Sequence, residues 1–588
     1  MSDFILACAR DRQGDEGAMT DALLRCAHML QPPGVTHCDT RLVAQPGLTL
    51  AVVDPGEGVA VHDTSICLGR ILDAPSEWWH PGSAPPDGTY ALCRCSSDVV
   101  ELVSDIAGSR TVWYCHGDDL FLASSSQRVL VALLGSFKLD REAVTWLVAA
   151  RSLGPRASYD ERLRRVPQDG SVRLDRRSWT LETSSHWEHY RAVARSDDEH
   201  VGLLHEAIVE TCRFLAADAE RWPLLLSGGY DSRALLVGLM QAGALPRCVT
   251  WGFEAALADP GSDAAVARRL AAAARVRHDF FALDGPHDAA VAALDEFVIR
   301  SEGQCTDFTM YADGFATWRT LIDGGCVGVI RGDNYPWAYL GQFRDVRAVR
   351  HHCGADFVED YGAGHPIRRL GLAAQTWPAR LEQRPDEDLL RYRDRLQRTL
   401  YIPARVAPLN QIKSSFVEVV NPLKARRVAA VVQSLPERLR LHPGALAQML
   451  ERHGPAVPFA ERPAATLPEI LRRTDVRARL AEGLRSDSAR LLFDDATTDE
   501  VVRDLTQNLV SSRRARATRR LRAALPRRIK DAALPVIGNR LDTSELALRM
   551  FVAARAVELF RDDARRLPAA AGDRLRALAP QKDPVVPR

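Results

Sequence analysis

A serine, two glycines, an aspartate and a second serine follow an apolar run in the stretch LLLSGGYDSRALLVGL, residues 224–239. Leu224–Leu226 predict the end of a buried strand, and the adjacent glycines allow the backbone to turn sharply and to approach a ligand without Cβ atoms in the way. The next helix then begins near Asp231 and Ser232, with unpaired N–H groups and the positive end of its dipole at the turn. Such a helix start predicts a phosphate-binding loop.

The loop is not a Walker loop, because GxxxxGK[ST] occurs nowhere in the chain. Asp231 supplies a carboxylate that can hold Mg²⁺ among phosphate oxygens. A second apolar run, in GGCVGVIRGDNYPW, ends at Gly332 and Asp333, where an α/β sheet would place a partner acid for the same ion. The structural alternative is a strand-to-helix turn with a capping Asp and Ser, but the joint occurrence of strand, glycines, acid and helix favours a ligand site.

The chain must contain more than these two motifs, because 588 residues are too many for one compact core and roughly two to four domains are expected. A net charge of +1 gives no global attraction to nucleic acid or anionic lipid, so neither is expected as a partner. No stretch approaches the roughly 20 apolar residues of a membrane span, and the amino end lacks the apolar centre of a signal peptide. We therefore expect a cytoplasmic protein. The twelve cysteines include no CxxC pair, which favours reduced, buried thiols over a zinc site.

The hydrophobic pattern changes along the chain and predicts an α/β protein with an α+β amino-terminal part. Up to about Tyr190, short apolar or alternating segments recur about every ten residues, which predicts antiparallel sheet with helices near Thr20–Leu30 and Glu142–Ala150. Between Glu199 and about Val329, helices alternate with apolar strands. This alternation predicts a mostly parallel sheet covered on both faces, with ligands at the carboxyl ends of its strands.

Six phrases follow one another in the order found in the synthetase domain of asparagine synthetases. They are SGGYDS, VTWGFE, SDAAVARRLA, RHDF, VIRGDN and NQIKSSFVEVVNPL. The first also resembles the pyrophosphate loop of ATP pyrophosphatases, which cleave ATP to AMP and pyrophosphate while adenylating a substrate. Phrases of the amino-terminal part, among them DGTYALCRC, VSDIAGSRTVWYC and RVPQDGSVRL, resemble the glutamine amidotransferase domain of the same family. The resemblance extends from about Phe4 to Arg427.

This resemblance implies three parts. Residues 1–190 would form an Ntn glutaminase-like antiparallel sandwich, residues 195–435 a parallel-sheet ATP-pyrophosphatase (PP-loop) synthetase domain, and residues 436–588 a helical extension packed on the synthetase domain. The family's glutaminase nucleophile is a cysteine directly after the initiator methionine, and this chain has Ser2 there. The resemblance therefore implies that glutamine is not the nitrogen source and that the attacking amine belongs to the substrate.

Two branches of the family keep the fold, lose the cysteine and join an internal amine to an adenylated carboxylate: the β-lactam synthetases and the lasso peptide cyclases. The phrases SLGPRASYDERLRRVPQDGS and GQCTDFTMYADGFATWRTL resemble the lasso cyclases, and Ile330 stands where the β-lactam branch has a tyrosine. The implied reaction adenylates an Asp or Glu side chain of a precursor core peptide, whose amino terminus then expels AMP. The implied partners are that peptide, a leader peptidase and a leader-peptide-binding protein. The alternatives are another ATP-dependent amide ligase and a catalytically silent nucleotide- or peptide-binding scaffold.

The resemblance also implies roles for single residues. The implied ATP-binding residues are Leu226, Ser227, Gly228, Gly229, Asp231, Ser232, Trp251, Gly252 and Gly332, with Trp251 or Gly252 near adenine. Asp231 and Asp333 would hold Mg²⁺ and take part in catalysis. Asp307 would line the peptide cavity, although a loop cap is an equally good interpretation.

Further positions have weaker or missing matches. Asp263 and Arg268 match the family pattern but fit a helix cap and a surface pair equally well, and His278 is expected to be structural. The family's late lysine, which stabilises charge on the adenylate, is replaced by Asp475. Lys413 is the best internal substitute and is predicted to be catalytic, with Arg472 or Arg473 as alternatives. Asn334 replaces the family's acid after the second aspartate.

Overall fold

The computed structural model describes a mixed α/β protein. The residues that it describes are 2–12, 16–30, 39–186, 190–284, 287–333, 338–339, 343–507 and 541–567. Asn334 therefore lies outside the described residues. None of the helices in these ranges is long and apolar enough to cross a membrane.

The strands are numbered in chain order. They are β1 Asp3–Ala9, β2 Thr40–Gln45, β3 Leu48–Val53, β4 Val59–His62, β5 Ser65–Asp73, β6 Asp87–Cys95, β7 Val99–Ser104, β8 Trp113–His116, β9 Leu120–Ser124, β10 Arg164–Arg165, β11 Gly170–Asp175, β12 Thr180–Ser185, β13 Leu224–Leu225, β14 Cys248–Gly252, β15 His278–Ala282, β16 Gly328–Ile330, β17 Ala338–Tyr339, β18 Glu418–Val420 and β19 Leu441–His442.

The α-helices are numbered in the same way. They are α1 Glu16–Ala27, α2 Gln127–Leu134, α3 Arg141–Ala150, α4 Asp197–Arg213, α5 Tyr230–Gln241, α6 Asp263–Ala274, α7 His287–Ser301, α8 Ala316–Asp323, α9 Val346–His352, α10 Leu389–Leu396, α11 Ala407–Ser414, α12 Arg426–Ser434, α13 Glu437–Arg440, α14 Gly444–His453, α15 Leu467–Ile470, α16 Thr474–Gly483, α17 Asp487–Leu492, α18 Asp495–Gln507 and α19 Thr543–Asp563. A π-helix at Gln397–Val406 joins α10 to α11.

The amino-terminal part contains two six-stranded antiparallel sheets, as the sequence predicts. Their strand orders are β10-β8-β9-β1-β3-β2 and β12-β11-β7-β6-β5-β4. Alternate residues of β1 point to opposite faces, so Phe4 and Leu6 pack between the two sheets while Ile5 and Ala7 pack against the neighbouring helices. Both faces of this strand are thus buried, which accounts for its continuous apolar sequence.

The middle part contains a five-stranded parallel sheet in the order β15-β14-β13-β16-β18. The chain adds strands outward from β13 to β15 and then returns to place β16 on the other side of β13. The strand order therefore reverses between β13 and β16. Ligands of open α/β sheets bind at such a switch point, outside the carboxyl ends of the strands.

Helix α19, the last helix among the described residues, contacts two parts of the protein. It contacts α2 and α3 of the amino-terminal part as well as α7 of the middle part. One apolar cluster accordingly contains residues of all three predicted parts, among them Leu130, Leu294 and Phe551. The carboxyl-terminal helices thus do not pack on the parallel-sheet part alone, because α19 also covers apolar side chains of the amino-terminal helices.

The ion pair between Arg128 and Asp563 offers a test of this arrangement. Arg128 Nε and Nη2 donate to the two carboxylate oxygens of Asp563 at 2.6 and 3.0 Å, and both side chains are buried. We expect Asp563→Asn to lower the free energy of unfolding by about 3–5 kcal/mol, because a buried guanidinium loses its counter-ion. Chemical unfolding followed by circular dichroism measures this loss. Asp562→Asn, at the exposed neighbouring position, is the control and should leave stability nearly unchanged; identical curves for both variants would contradict the prediction.

Candidate functional site

The loop after β13 adopts a compact turn that its two serines stabilise. Ser232 Oγ accepts a hydrogen bond from the Ser227 amide at 3.0 Å and lies 2.9 Å from Ser227 Oγ. Ser227 Oγ accepts in turn from the Gly229 amide at 3.2 Å. Gly229 is the N-cap of α5, and because glycine has no side chain it cannot cap the first-turn amides itself. The start of α5 thus has no side-chain cap of its own, as is typical of helix starts that bind anions.

Asp263 anchors the loop from the next helix of the sheet. Its Oδ1 accepts a hydrogen bond from the Gly228 amide at 2.7 Å, and Ser262, not Asp263, is the side-chain cap of α6. Burial raises the pKa of Asp263, although the bond from Gly228 opposes the shift. One amide of the predicted phosphate loop is thereby occupied by a protein carboxylate, so Asp263 holds the loop in place.

Different surroundings explain why glycine occurs at each of the two positions in the loop. A Cβ on Gly228 would lie 2.6 Å from Ala460 Cβ and 2.9 Å from Val266 Cβ, so this glycine is required by protein packing. A Cβ on Gly229 would meet only Ser227 Oγ, at 3.3 Å. The close approach of a ligand, which the sequence predicts at both glycines, is therefore available at Gly229 only.

Residues 457–464, a segment without a motif of its own, cover the loop and the end of β14. The Ala460 amide donates to Gly228 O at 3.1 Å, and Arg233 Nη2 donates to Pro458 O at 3.1 Å. The ring of Phe459 stacks on that of Tyr230 with centroids 3.8 Å apart. We call these residues the covering segment. The prolines and apolar residues of this segment form no helix pattern that would predict its position. The one local signal is Arg233, a charged residue inside an apolar helix, which predicts a buried hydrogen-bond partner.

Trp251 and Gly252, the predicted adenine contacts, lie at the carboxyl end of β14 beneath the covering segment. A Cβ on Gly252 would lie 2.5 Å from Ala464 Cβ, and the Phe253 amide donates to Ala464 O at 2.9 Å. The half-buried ring of Trp251 lies 5.9 Å from that of Trp318. Gly252 thus contacts protein in this structure, and Trp251 is the more accessible of the two.

The loop after β16 reaches the start of α5, as the sheet order requires. A Cβ on Gly332 would lie 2.9 Å from both the carbonyl carbon of Asp231 and the amide nitrogen of Ser232. Only glycine allows this contact without displacing backbone. The structure therefore brings the two predicted motifs together, with Asp231 in the first turn of α5 and Asp333 on the neighbouring loop.

Asp333 has more partners than the sequence indicated. Arg331 Nε lies 2.6 Å from its Oδ1, Lys424 Nζ lies 3.1 Å from its Oδ2, and Asn421 Nδ2 donates to Oδ2 at 2.7 Å. Burial opposes ionisation, but the charges of Arg331, Lys424 and Lys413 hold the pKa of Asp333 below its ordinary range. Arg331 precedes the predicted glycine and Lys424 is one of only five lysines, so both positions were visible in the sequence although their convergence was not.

Lys413 lies on α11 and is fully buried. Its Nζ donates to Leu409 O at 2.8 Å and to Tyr311 Oη at 3.4 Å. Burial, together with the positive charge of Arg331, holds the pKa of Lys413 well below its ordinary value. The amine faces protein atoms and not solvent, so the predicted catalytic role requires a rearrangement of α11.

Asp307 pairs with an arginine of the π-helix. Arg405 Nη2 donates to its two carboxylate oxygens at 3.0 and 3.1 Å. Burial raises the pKa of Asp307, but the charges of Arg405 and Arg151 outweigh it and the net shift is downward. The loop-cap interpretation does not describe these contacts, since the carboxylate is bound by a side chain of a different element. A role in the peptide cavity stays a prediction.

The remaining candidates have structural contacts. His278 Nε2 lies 2.9 Å from Thr250 Oγ1, and burial lowers the pKa of this histidine. Arg268 is exposed and donates to Leu257 O at 3.2 Å. Asp475 pairs with Arg473 at 2.8 Å, and Arg472 is exposed.

Ser2 is fully buried and binds the parallel-sheet part. Its Oγ donates to Glu418 Oε1 at 2.6 Å, and Arg110 Nη1 donates to Glu418 Oε2 at 2.7 Å. Ser2 thus joins β1 to β18. This contact gives the residue a structural role at the position where the resembling family has its nucleophile.

Comparison with known proteins gives no family assignment: the chain matches no protein-family model and no curated protein.

The side chains fit a magnesium ion to different degrees. Mg²⁺ is typically bound by one or two carboxylates together with substrate phosphates, and half-buried Asp231 at the start of α5 fits such a site. Both oxygens of Asp333 instead face cationic or amide donors, which does not fit a metal ligand. Among the described residues, no group of three or more His, Cys, Asp or Glu side chains could hold a metal ion by itself.

We expect Gly332→Ala to lower the free energy of unfolding by about 1–3 kcal/mol, because the new methyl group must displace the backbone of Asp231 and Ser232. Chemical unfolding of the full chain measures the effect. Gly364→Ala is the matched control, since a Cβ there has no heavy atom within 4 Å. Equal stability of the two variants would show that the two loops do not touch.

Proposed function

We propose that this chain is an ATP-dependent, AMP-forming carbon–nitrogen ligase of the lasso peptide cyclase type. It would adenylate an Asp or Glu side chain of a precursor core peptide and join that carboxylate to the peptide's amino terminus. In the same proposal, residues 1–190 are an Ntn glutaminase-like sandwich without its nucleophile, and residues 195–435 are a PP-loop synthetase domain. The proposed location is the cytoplasm, where ATP is available.

The observation that carries the proposal is the position of the SGGYDS loop. It follows β13 at the switch point of the parallel sheet, and its helix α5 begins with a glycine cap. Switch points and helix starts are both sites where nucleotide phosphates bind. The loop that follows β16 packs against the same helix start.

The residues of the crevice would contribute in different ways. The α5 amides and the Ser227–Ser232 pair would bind phosphate oxygens, and Asp231 would hold Mg²⁺, which neutralises charge on the pyrophosphate leaving group. Expulsion of AMP requires the amine and the adenylated carboxylate to be held in contact, and the folded site would supply that orientation. The burial of Ser2 against Glu418 supports an amine from the substrate and not from glutamine hydrolysis.

The proposed partners follow from this chemistry. The attacking amine exists only after the leader is removed, so a leader peptidase and a leader-peptide-binding protein would act with the chain. No nucleic acid is proposed.

A catalytically silent scaffold is the second candidate. The covering segment over Gly228 and Gly252 and the cation-paired state of Asp333 favour it. An ATP-dependent amide ligase acting on another substrate shares the crevice and differs only in the molecule that is adenylated.

Mass spectrometry of a precursor peptide tests the proposal. The peptide is incubated with ATP, Mg²⁺, its peptidase and the full chain, and we expect the core to lose one water while AMP forms. Asp231→Ala should lower the rate at least about 100-fold, because the Mg²⁺ ion that neutralises the pyrophosphate leaving group would lose its protein carboxylate ligand. Glu206→Ala, on the exposed face of α4, is the control and should keep the rate. Product formation by the Asp231 variant at the wild-type rate would refute the assignment, and AMP without a cyclised peptide would indicate a different substrate.

A further inference from the structure

Two cationic side chains meet one carboxylate where β16 and β18 end. Arg331 and Lys424 both lie within 3.1 Å of the same carboxylate, that of Asp333. Glu418, the acid on β18, is engaged by Arg110 and Ser2. Among the described residues, Asp333 is the one carboxylate in ion-pair contact with Arg331 and Lys424, and buried Asp105 interacts with Lys424 without such a contact.

Lys424 has hydrogen-bond donors left over although it is buried. Its side chain is only 1% exposed, and within the described ranges the sole polar contact of its Nζ is the ion pair with Asp333. An ammonium group carries three N–H donors. Buried donors without acceptors are costly and are usually satisfied by protein, water or ligand, so an acceptor is expected next to Nζ.

Arg331 also has a donor left over. Its Nε pairs with Asp333 and its Nη1 donates to Asn410 Oδ1 at 3.0 Å. Nη2 has no partner among the residues described, and the side chain is 19% exposed. Asp333 and Asn410 thus fix the plane of the guanidinium while one edge stays available. A fixed guanidinium is well suited to oxyanions, because its donors match phosphate geometry.

Arg331 and Lys424 both belong to segments that lie next to α5. Gly332, directly after Arg331, contacts the backbone of Asp231 and Ser232 at the start of this helix. The turn Pro422–Lys424 also contacts α5. The two cationic residues therefore lie on segments that pack against the helix that begins in the SGGYDS loop.

We propose that Arg331 and Lys424 bind the β- and γ-phosphate oxygens of the nucleotide, and hence the pyrophosphate that leaves, while Asp333 positions both cations. This inference rests on the proposed function, because it names the side chains that bind the nucleotide in that crevice. It reassigns Asp333 from metal ligand to positioning residue. Mg²⁺ would then depend on Asp231 and the phosphates, since an ion at Asp333 would have to displace two cations.

Isothermal titration of the full chain with inorganic pyrophosphate, with and without Mg²⁺, tests the inference. We expect one site per chain, and Arg331→Met and Lys424→Met should each weaken it at least tenfold, because each removes a cation from the bound anion. Arg269→Met is the matched control, since Arg269 is exposed and contacts Pro260 O. If Lys424→Met does not unfold cooperatively, Arg331→Lys is used in its place. This variant should weaken pyrophosphate binding less than Arg331→Met does, because lysine keeps the positive charge but lacks the paired donors of the guanidinium.

Asp333→Asn separates the two roles of the carboxylate. With Mn²⁺ in place of Mg²⁺ and a non-hydrolysable ATP analogue, electron paramagnetic resonance should show undiminished Mn²⁺ binding in Asp333→Asn and lost binding in Asp231→Asn. Loss of Mn²⁺ in the Asp333 variant would overturn the inference. So would pyrophosphate affinity equal to that of the wild type in both Met variants, or no pyrophosphate binding by the wild type.

The two proposals can fail separately. If pyrophosphate binding depends on Arg331 and Lys424 but no precursor peptide leads to AMP formation, the proposed anion site is supported and the proposed cyclase activity is refuted. If AMP forms but the variants bind pyrophosphate as tightly as the wild type, the proposed ligase activity is supported and the proposed anion site is refuted.

Discussion

The parallel pairing of β13 with β16 is the constraint on which the candidate site depends. Leu224 is in register with Ile330, so the loops that follow the two strands leave the sheet side by side. Backbone then meets backbone at Gly332, and a larger residue would separate the loops. The proximity of Asp231 and Asp333 is therefore a consequence of strand order and of one missing side chain.

Elements that are distant in sequence hold this arrangement in place. The covering segment, residues 457–464, binds Gly228 and Arg233 through its backbone and stacks Phe459 on Tyr230. Asp263 fixes the loop from a second side. A loop held from both sides needs little reorganisation when a ligand binds, because the entropy of ordering has already been lost in folding.

The amino-terminal part contacts β18 and the residues after it, which include two partners of Asp333. Asn421, directly after β18, donates its amide to Thr89 Oγ1 at 3.0 Å. Glu418 of the same strand binds Ser2 and Arg110. The amino-terminal part thus contributes buried hydrogen bonds that hold Asn421 and Glu418 in place. Ser2 has a structural role, because its hydroxyl donates a hydrogen bond to Glu418.

The sequence by itself determined the fold class. Alternating segments up to Tyr190 predicted antiparallel sheets, and the helix–strand rhythm after Glu199 predicted the parallel sheet, because strand and helix periods are local properties of side-chain spacing. The helix predicted at 142–150 is observed at Arg141–Ala150. The SGGYDS loop was predictable for the same reason, since its turn, cap and helix lie within sixteen residues.

Only the tertiary structure decided which residues meet. Arg331 and Lys424 are 93 positions apart, yet they share Asp333 because β16 and β18 are neighbours in the sheet. Position 228 requires glycine because a Cβ there would lie 2.6 Å from Ala460 Cβ. Lys413 is buried, and its amine donates to Leu409 O and Tyr311 Oη. Local patterns carry no information about such partners, since strand order and the packing of distant segments set the distances. Burial and neighbouring charges then shift the pKa values.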